Sequence, residues 1–314
     1  MKNRILVGAI AGGLILATAL VVAVQLNSGS EPFFQKAAHD HVKHMRFVEP
    51  NVLQYVTRDN EVKRLGAETF RTETQTQVKG FHVRLSPSGE YVSHAKDGKI
   101  HITTVSSERT NHRLHGSLHR WQDESSLMYI KNQSKPSVFL EEGQLTRYHL
   151  ETTNKDYVMD IAGTVIHPLN SYSGLILTAA GQEVAENARL TLYSGRKEAE
   201  VAVSDQPIQS TASAHGLMAF QTRGDPTLKL INRHGRVKPT AIQPRESLYR
   251  PVDGDTIAAE ITSADQRKIE LYDVSQSVVE RQLPLGEVGE VIDVAATDSY
   301  VAVATTNGIY VGAL

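Results

Sequence analysis

The sequence predicts an all-β domain behind one apolar segment, and three observations carry that prediction. After residue 50 no long apolar stripe of helical period appears. Instead, short runs rich in Val, Ile, Leu, Tyr and Thr alternate with Gly, Asp, Asn, Ser and Pro. One phrase also recurs, in the order turn, strand, turn, strand. It is plainest in SPSGEYVSHAKDGKIHITTV, residues 86–105.

Weaker copies follow at residues 123–143, 170–196, 213–236, 252–276 and 296–314. Their leading strands, YVSHA, LMYIK, LILTA, LMAFQ, TIAAE and YVAVA, fall 36–48 residues apart. A period of about 40–50 residues with four short strands per unit is the signature of a β-propeller. YVAVA, LILTA and TIAAE are nearly continuous apolar runs, as a sheet covered on both faces requires. Lys99-Ile100-His101-Ile102, Thr227-Leu228-Lys229-Leu230-Ile231 and Lys268-Ile269-Glu270-Leu271-Tyr272 alternate and should lie further out. Val237-Lys238-Pro239 and Val278 to Leu283 read as outer strands. His119-Arg120-Trp121, Tyr157 to Asp160 and Glu290 to Val294 read as first strands. A β-sandwich would also give evenly spaced strands. Six copies of one two-strand phrase favour the propeller.

Six units predict six four-stranded blades, or seven if residues 46–79 form a blade of their own. The last unit ends at Leu314 on what reads as a third strand, so its outer edge needs a partner. Asn51 to Leu65 reads as a hairpin of outer strands turning at Arg58-Asp59-Asn60. Residues 46–66 are expected to complete or adjoin the last blade.

The phrase Ser86-Pro87-Ser88-Gly89-Glu90-Tyr91-Val92 resembles the blade motif of TolB-like and WD40-like propeller repeats. Ser88 stands where those families usually carry Asp, and no unit ends in the Trp-Asp dipeptide of WD40 proteins. The resemblance covers residues 46–314 as an architecture and implies a propeller, not an activity.

The chain opens with residues 1–4, bearing Lys2 and Arg4, followed by 22 uncharged residues, 5–26. As a helix this run covers about 30 Å, the thickness of the hydrocarbon core. The positive flank keeps the N-terminus in the cytoplasm and places the rest outside. The expectation is a single-pass inner-membrane signal anchor with a periplasmic C-terminal domain. A cleaved signal peptide is the competing reading. Its clearest small-x-small triplet, Ala17-Thr18-Ala19, lies inside the apolar run. Gly8 and Gly12 match a small-xxx-small pattern that would let two anchors pair as a homodimer. Residues 27–45 read as a juxtamembrane linker, and 46–314 as the propeller.

Composition narrows the function. Lys plus Arg (33) nearly balances Asp plus Glu (35), which argues against nucleic acid as a partner. There is no cysteine, so disulfides, thiolate catalysis and cysteine-bound metals are excluded. No G-x-S-x-G elbow, H-E-x-x-H, P-loop or G-x-G-x-x-G occurs, and no catalytic residue or cofactor is expected. His39, His41 and His44, and again His112, His115 and His119, cluster in sequence. Solvated or capped histidines explain both clusters better than a metal site. Trp121, the single tryptophan, reads as a core anchor. Binding residues are sought in the loops between second and third strands, with Arg223, Asp225, Asp265 and Arg267 as candidates. The expected function is a membrane-anchored, non-catalytic propeller that binds a protein of the cell envelope. The alternative is a hydrolase or lyase whose site is assembled from several blades.

Overall fold

A computed structural model describes residues 33–314, except 108–109, 133–140, 164, 169–172, 179–188, 195–196, 202–207, 215–216, 223, 233–236, 245–248, 253–254 and 264–265. The expected anchor, with its Gly8–Gly12 pair, lies outside the described residues. Among those described, no helix is long and apolar enough to cross a membrane.

Among the described residues, twenty-eight strands form seven four-stranded antiparallel sheets. This is the β-propeller, in the count that follows when the N-terminal region forms a blade of its own. Blade 1 covers residues 42–77, blade 2 81–115, blade 3 117–163, blade 4 165–201, blade 5 208–239 and blade 6 249–284. Blade 7 takes three strands from 291–313 and its outer strand, Gln35–Ala38, from the other end of the domain. First strands touch in succession from blade 2 through blade 7 and on to blade 1.

That closing strand corrects the expected boundary. Residues 35–38 and 42–49 are strands of the propeller rather than linker, and residues 46–66 adjoin the last blade without supplying its missing edge. Physically, Phe34 and Ala38 are buried, and Lys36 lies over the Tyr310 ring, 5.9 Å from its centroid. The final blade would otherwise expose a row of unpaired backbone groups. Asn51 to Leu65 does turn near Asn60, but its strands are the second and third of blade 1, not outer ones. Tyr157 to Asp160 belongs to Lys155–Gly163, the outer strand of blade 3. Lys155 to Tyr157 are exposed, while Val158 packs on Met128, Ile130 and Leu145, as an outer strand covered mainly on one side requires.

The core runs between blades. Val56 and Val62 of blade 1 pack on Val83, Leu85 and Val92 of blade 2. Ile100, Ile102 and Leu114 of blade 2 meet Leu127, Tyr129 and Tyr148 of blade 3. Met45, Leu53 and Tyr55 of blade 1 meet Ala302, Ala304 and Ile309 of blade 7. This explains why second strands are buried on both faces, as in Leu217–Thr222, while the outer strand Val278–Pro284 is almost wholly exposed. The recurring SPSGE phrase is the turn between first and second strands. Ser86 Oγ accepts the Tyr91 N–H at 3.0 Å, the Gly89 N–H donates to Ser86 O at 3.0 Å, and Gly89 sits at φ 75°.

Candidate binding site at the channel mouth

The first strands end together at one mouth of the central channel. A cavity of about 390 Å³ opens there, lined from blades 1, 2, 3, 6 and 7. Its size falls in the usual range for ligand sites.

Four arginines line it: Arg46, Arg84, Arg120 and Arg250. They hold equivalent positions, because each pairs with the third residue of its blade's second strand: Gln54, Ser93, Met128 and Ala258. In blades 1, 2, 3 and 7 the first strand carries a β-bulge just before the mouth, at Val42/His44, Phe81/Arg84, Ser117/His119 and Val291/Asp293. Such bulges re-aim the side chains that follow them. His82 (φ 52°) and Leu118 (φ 36°) hold the left-handed conformations of two of these bulges.

Asp293 is the buried acid of this mouth, 2% exposed. Its Oδ1 accepts from Arg250 Nε at 2.8 Å and from the Val294 N–H at 3.1 Å. Its Oδ2 accepts from the Met45 N–H at 3.1 Å and lies 3.4 Å from His44 Nδ1. Burial pushes this carboxyl up, but Arg250, His44 and the Met45 N–H outweigh burial and hold it below the usual value. Burial lowers the His44 imidazole, Asp293 opposes the shift, and Arg84 and Arg46 add to it.

A carboxylate offers about four acceptor positions. Those of Asp293 already take three hydrogen bonds, with His44 Nδ1 a further contact at 3.4 Å, so little capacity is left for further guanidiniums. Among the described residues, Arg46, Arg84 and Arg120 form no ion pair. Burial pulls Arg120 down to about 9, with Arg84 and Arg250 adding to the fall, so it stays charged at neutral pH. Burial and Arg250 lower Arg84 against the opposing pull of Asp293. Burial also lowers Arg46, which Glu124 partly offsets, and its Nε is buried without a hydrogen-bond partner.

Apolar surfaces complete the wall. Phe47, Leu85, Pro87, Trp121 and Pro251 line the mouth. Trp121 packs against the core cluster between blades 2 and 3 and also lines the mouth: it stacks on Tyr91 with centroids 6.2 Å apart and donates Nε1–H to Arg84 O at 3.2 Å. At the rim, exposed Glu124 accepts the Ser88 N–H, and Asp123 accepts the Ser125 N–H at 3.0 Å. The SPSGE turn of blade 2 is thereby tied to blade 3.

The loops between second and third strands lie at the opposite end of the strands, since each second strand runs antiparallel to its first. Asp225 there pairs with Lys229 at 3.0 Å and accepts the Thr227 N–H at 2.9 Å. Arg267 pairs with Glu260 at 2.7 Å and donates to Gly289 O at 2.6 Å. Arg223 and Asp265 lie outside the described residues. Neither Asp225 nor Arg267 lines the cavity.

The histidine clusters resolve differently than expected. His112 and His115 sit on the outer strand of blade 2, and His119 on the first strand of blade 3, rather than in a connection. His112 Nδ1 bonds the Tyr148 hydroxyl at 2.7 Å, while His119 is buried. Among the described residues no group of three His, Asp or Glu could hold a metal ion. Sequence reasoning missed the arginines by looking for charge in loops. The signal was an arginine followed by an apolar residue ahead of the turn: Arg46-Phe47, Arg84-Leu85, Arg120-Trp121 and Arg250-Pro251.

No protein-family model matches the chain, and no curated protein matches it in sequence. Solved structures do match in fold. An oligogalacturonate lyase in complex with manganese is similar at TM-score 0.61 and 11% identity, covering 88% of this chain and 90% of that one. The WD40 repeats of RRP9 are similar at TM-score 0.59 and 9% identity, covering 90% and 99%. The WD40 β-propeller domain of Doa1 is similar at 0.57 and 12%, covering 90% and 96%. At such identities the likeness establishes the propeller fold and nothing about activity.

Proposed function

We propose that this chain is a non-catalytic recognition propeller, displayed on the outer side of a membrane by its N-terminal segment, whose channel mouth docks a protein of the cell envelope. The observation that carries the docking is the composition of the mouth. A fixed tryptophan, Trp121, and four arginines converge with Phe47 and Pro251 in one preformed cavity. Tryptophan and arginine are the residues most enriched at interface hot spots, where rigid apolar area and multiple donors give affinity at low entropic cost. The uncharged run 5–26, with Lys2 and Arg4 before it, supports the membrane placement. Pairing of two anchors through Gly8 and Gly12 is a secondary part of the proposal.

The test is capture of a stoichiometric partner by the full chain from detergent-solubilised membranes, alongside Trp121→Ala. A protein retained by the parent and lost by the variant supports the reading. Equal capture by both places the docking surface elsewhere.

One observation favours a second reading, a lyase or hydrolase. His44 and Asp293 lie together at the mouth beside guanidiniums, an acid–base and anion-stabilising combination, and one structure of similar fold is a lyase. Turnover abolished by His44→Gln would favour that reading over docking.

A further inference from the structure

The proposal of a docking mouth leaves open what chemical group it reads. Arg46, Arg84 and Arg120 stand at one level of the channel on three adjacent blades. Each guanidinium has five donors. Asp293 acts on Arg84 but already accepts from Arg250, Val294 and Met45, with His44 Nδ1 at 3.4 Å; exposed Glu124 at the rim only partly offsets Arg46. Gathering like charges in a partly desolvated wall is costly unless an anion offsets them. Arg84, Arg120 and Arg250 lie close enough to repel one another. Salt bridges within the fold relieve only the last of these.

The cavity is also too large for a bare inorganic ion. At about 390 Å³, with Phe47, Leu85, Pro87 and Trp121 around the guanidiniums, it suits an acidic group carried on an organic body. From this we infer that Arg46, Arg84 and Arg120 form an oxyanion subsite that receives the clustered carboxylates of an acidic polypeptide segment. The inference rests on the docking reading above and names the chemistry of the partner. Bidentate pairing of a planar guanidinium with a carboxylate supplies both strength and orientation. Asp293 gripped by Arg250 shows how this wall already holds one carboxylate. Arg250 is then a positioning residue: bound to Asp293, it fixes the fourth side of the mouth.

Trp121 gives a built-in reporter, because it is the chain's single tryptophan and it lines the mouth. The experiment titrates the purified full chain in detergent with hexaglutamate, inorganic phosphate, acetate and hexalysine, reading Trp121 emission. The expected result is a saturable response to hexaglutamate that weakens as salt is raised, with none to acetate or hexalysine. Arg84→Gln and Arg120→Gln should each weaken it about tenfold or more, Arg46→Gln should act in the same direction, and Arg84→Lys should retain part of the binding. A thermal midpoint no lower than the parent's shows that each variant is folded.

A response that survives the arginine substitutions overturns the inference, as does no response to hexaglutamate. Binding of phosphate without hexaglutamate also overturns it, assigning the site to a free oxyanion. Arginine-dependent hexaglutamate binding with no captured protein sustains the subsite and removes the protein-docking reading. Capture lost in Trp121→Ala but kept in Arg84→Gln and Arg120→Gln does the reverse.

Discussion

Asp293 of blade 7 and Arg250 of the neighbouring blade 6 meet at 2.8 Å at the channel mouth, 43 residues apart in sequence, with the carboxylate buried. The pair joins two blades, and through the Met45 N–H it also joins the last blade to the first. One carboxylate thus holds the ring at its closure and fixes one wall of the cavity.

Asp293→Ala removes the acceptor for Arg250 and for the Met45 N–H together. The carboxylate is buried but the Arg250 side chain is 39% exposed and can turn to solvent, so the loss should fall below the cost of breaking a fully buried pair, at about 1–3 kcal/mol. Urea denaturation measures it, and a shift within about 0.5 kcal/mol would show that the pair does not hold the ring.

The unpaired arginines should behave in the opposite way. Arg120→Gln removes a half-buried charge that Arg84 and Arg250 oppose. Its thermal midpoint should equal or exceed that of the parent, as is common where a site is kept for function at the expense of stability. A clear fall in midpoint would make the arginine structural.

Two buried histidines set a pH dependence. Burial drives His119 down to about 3, with Arg84, Arg120 and His82 adding to the fall against a Ser93 backbone contact. Burial drives His94 to about 4, with His101 and Lys96 adding. Both are neutral when folded, while the unfolded chain takes up protons near 6.5. Between those values the unfolded state binds more protons, so stability rises with pH across the window and falls as pH drops from about 6.5 toward 4. His119 contributes a loss of about 1.5 kcal/mol between pH 6.5 and 5, and the less desolvated His94 somewhat less. Urea midpoints at several pH values test this, and His94→Gln should flatten part of the profile.

Ring closure depends on a glycine. Gly308 sits at φ 129°, with the Ala38 carbonyl of the closing strand against its Cα. Any Cβ there meets that carbonyl, so Gly308→Val should prise residues 35–38 from the blade, at a cost of at least about 1–3 kcal/mol. Limited proteolysis should then cut near Ala38 far faster than in the parent. Equal cleavage rates would show that the closing strand is dispensable.

The sequence showed the repeat plainly because second and third strands carry their burial in local pattern: TIAAE and LMAFQ are buried on both faces, while Lys99-Ile100-His101-Ile102 alternates. Closure was harder to see, since Gln35-Lys36-Ala37-Ala38 is short and polar and becomes a strand only by pairing with residues 309–311. The site was hidden for a related reason. Met45 and Asp293 are 248 residues apart, and no local spacing announces that they touch. The arginines did leave a trace, one in the first strand of each of blades 1, 2, 3 and 6, ahead of the turn. Their meaning depends on five strands ending at the same mouth, which only the closed ring provides.

The most direct test of the account is Trp121 emission of the full chain titrated with hexaglutamate, beside Arg84→Gln and Arg120→Gln. The account predicts saturable, salt-sensitive binding that both substitutions weaken about tenfold or more. Binding indifferent to both arginines, or no binding to the folded parent, would contradict it.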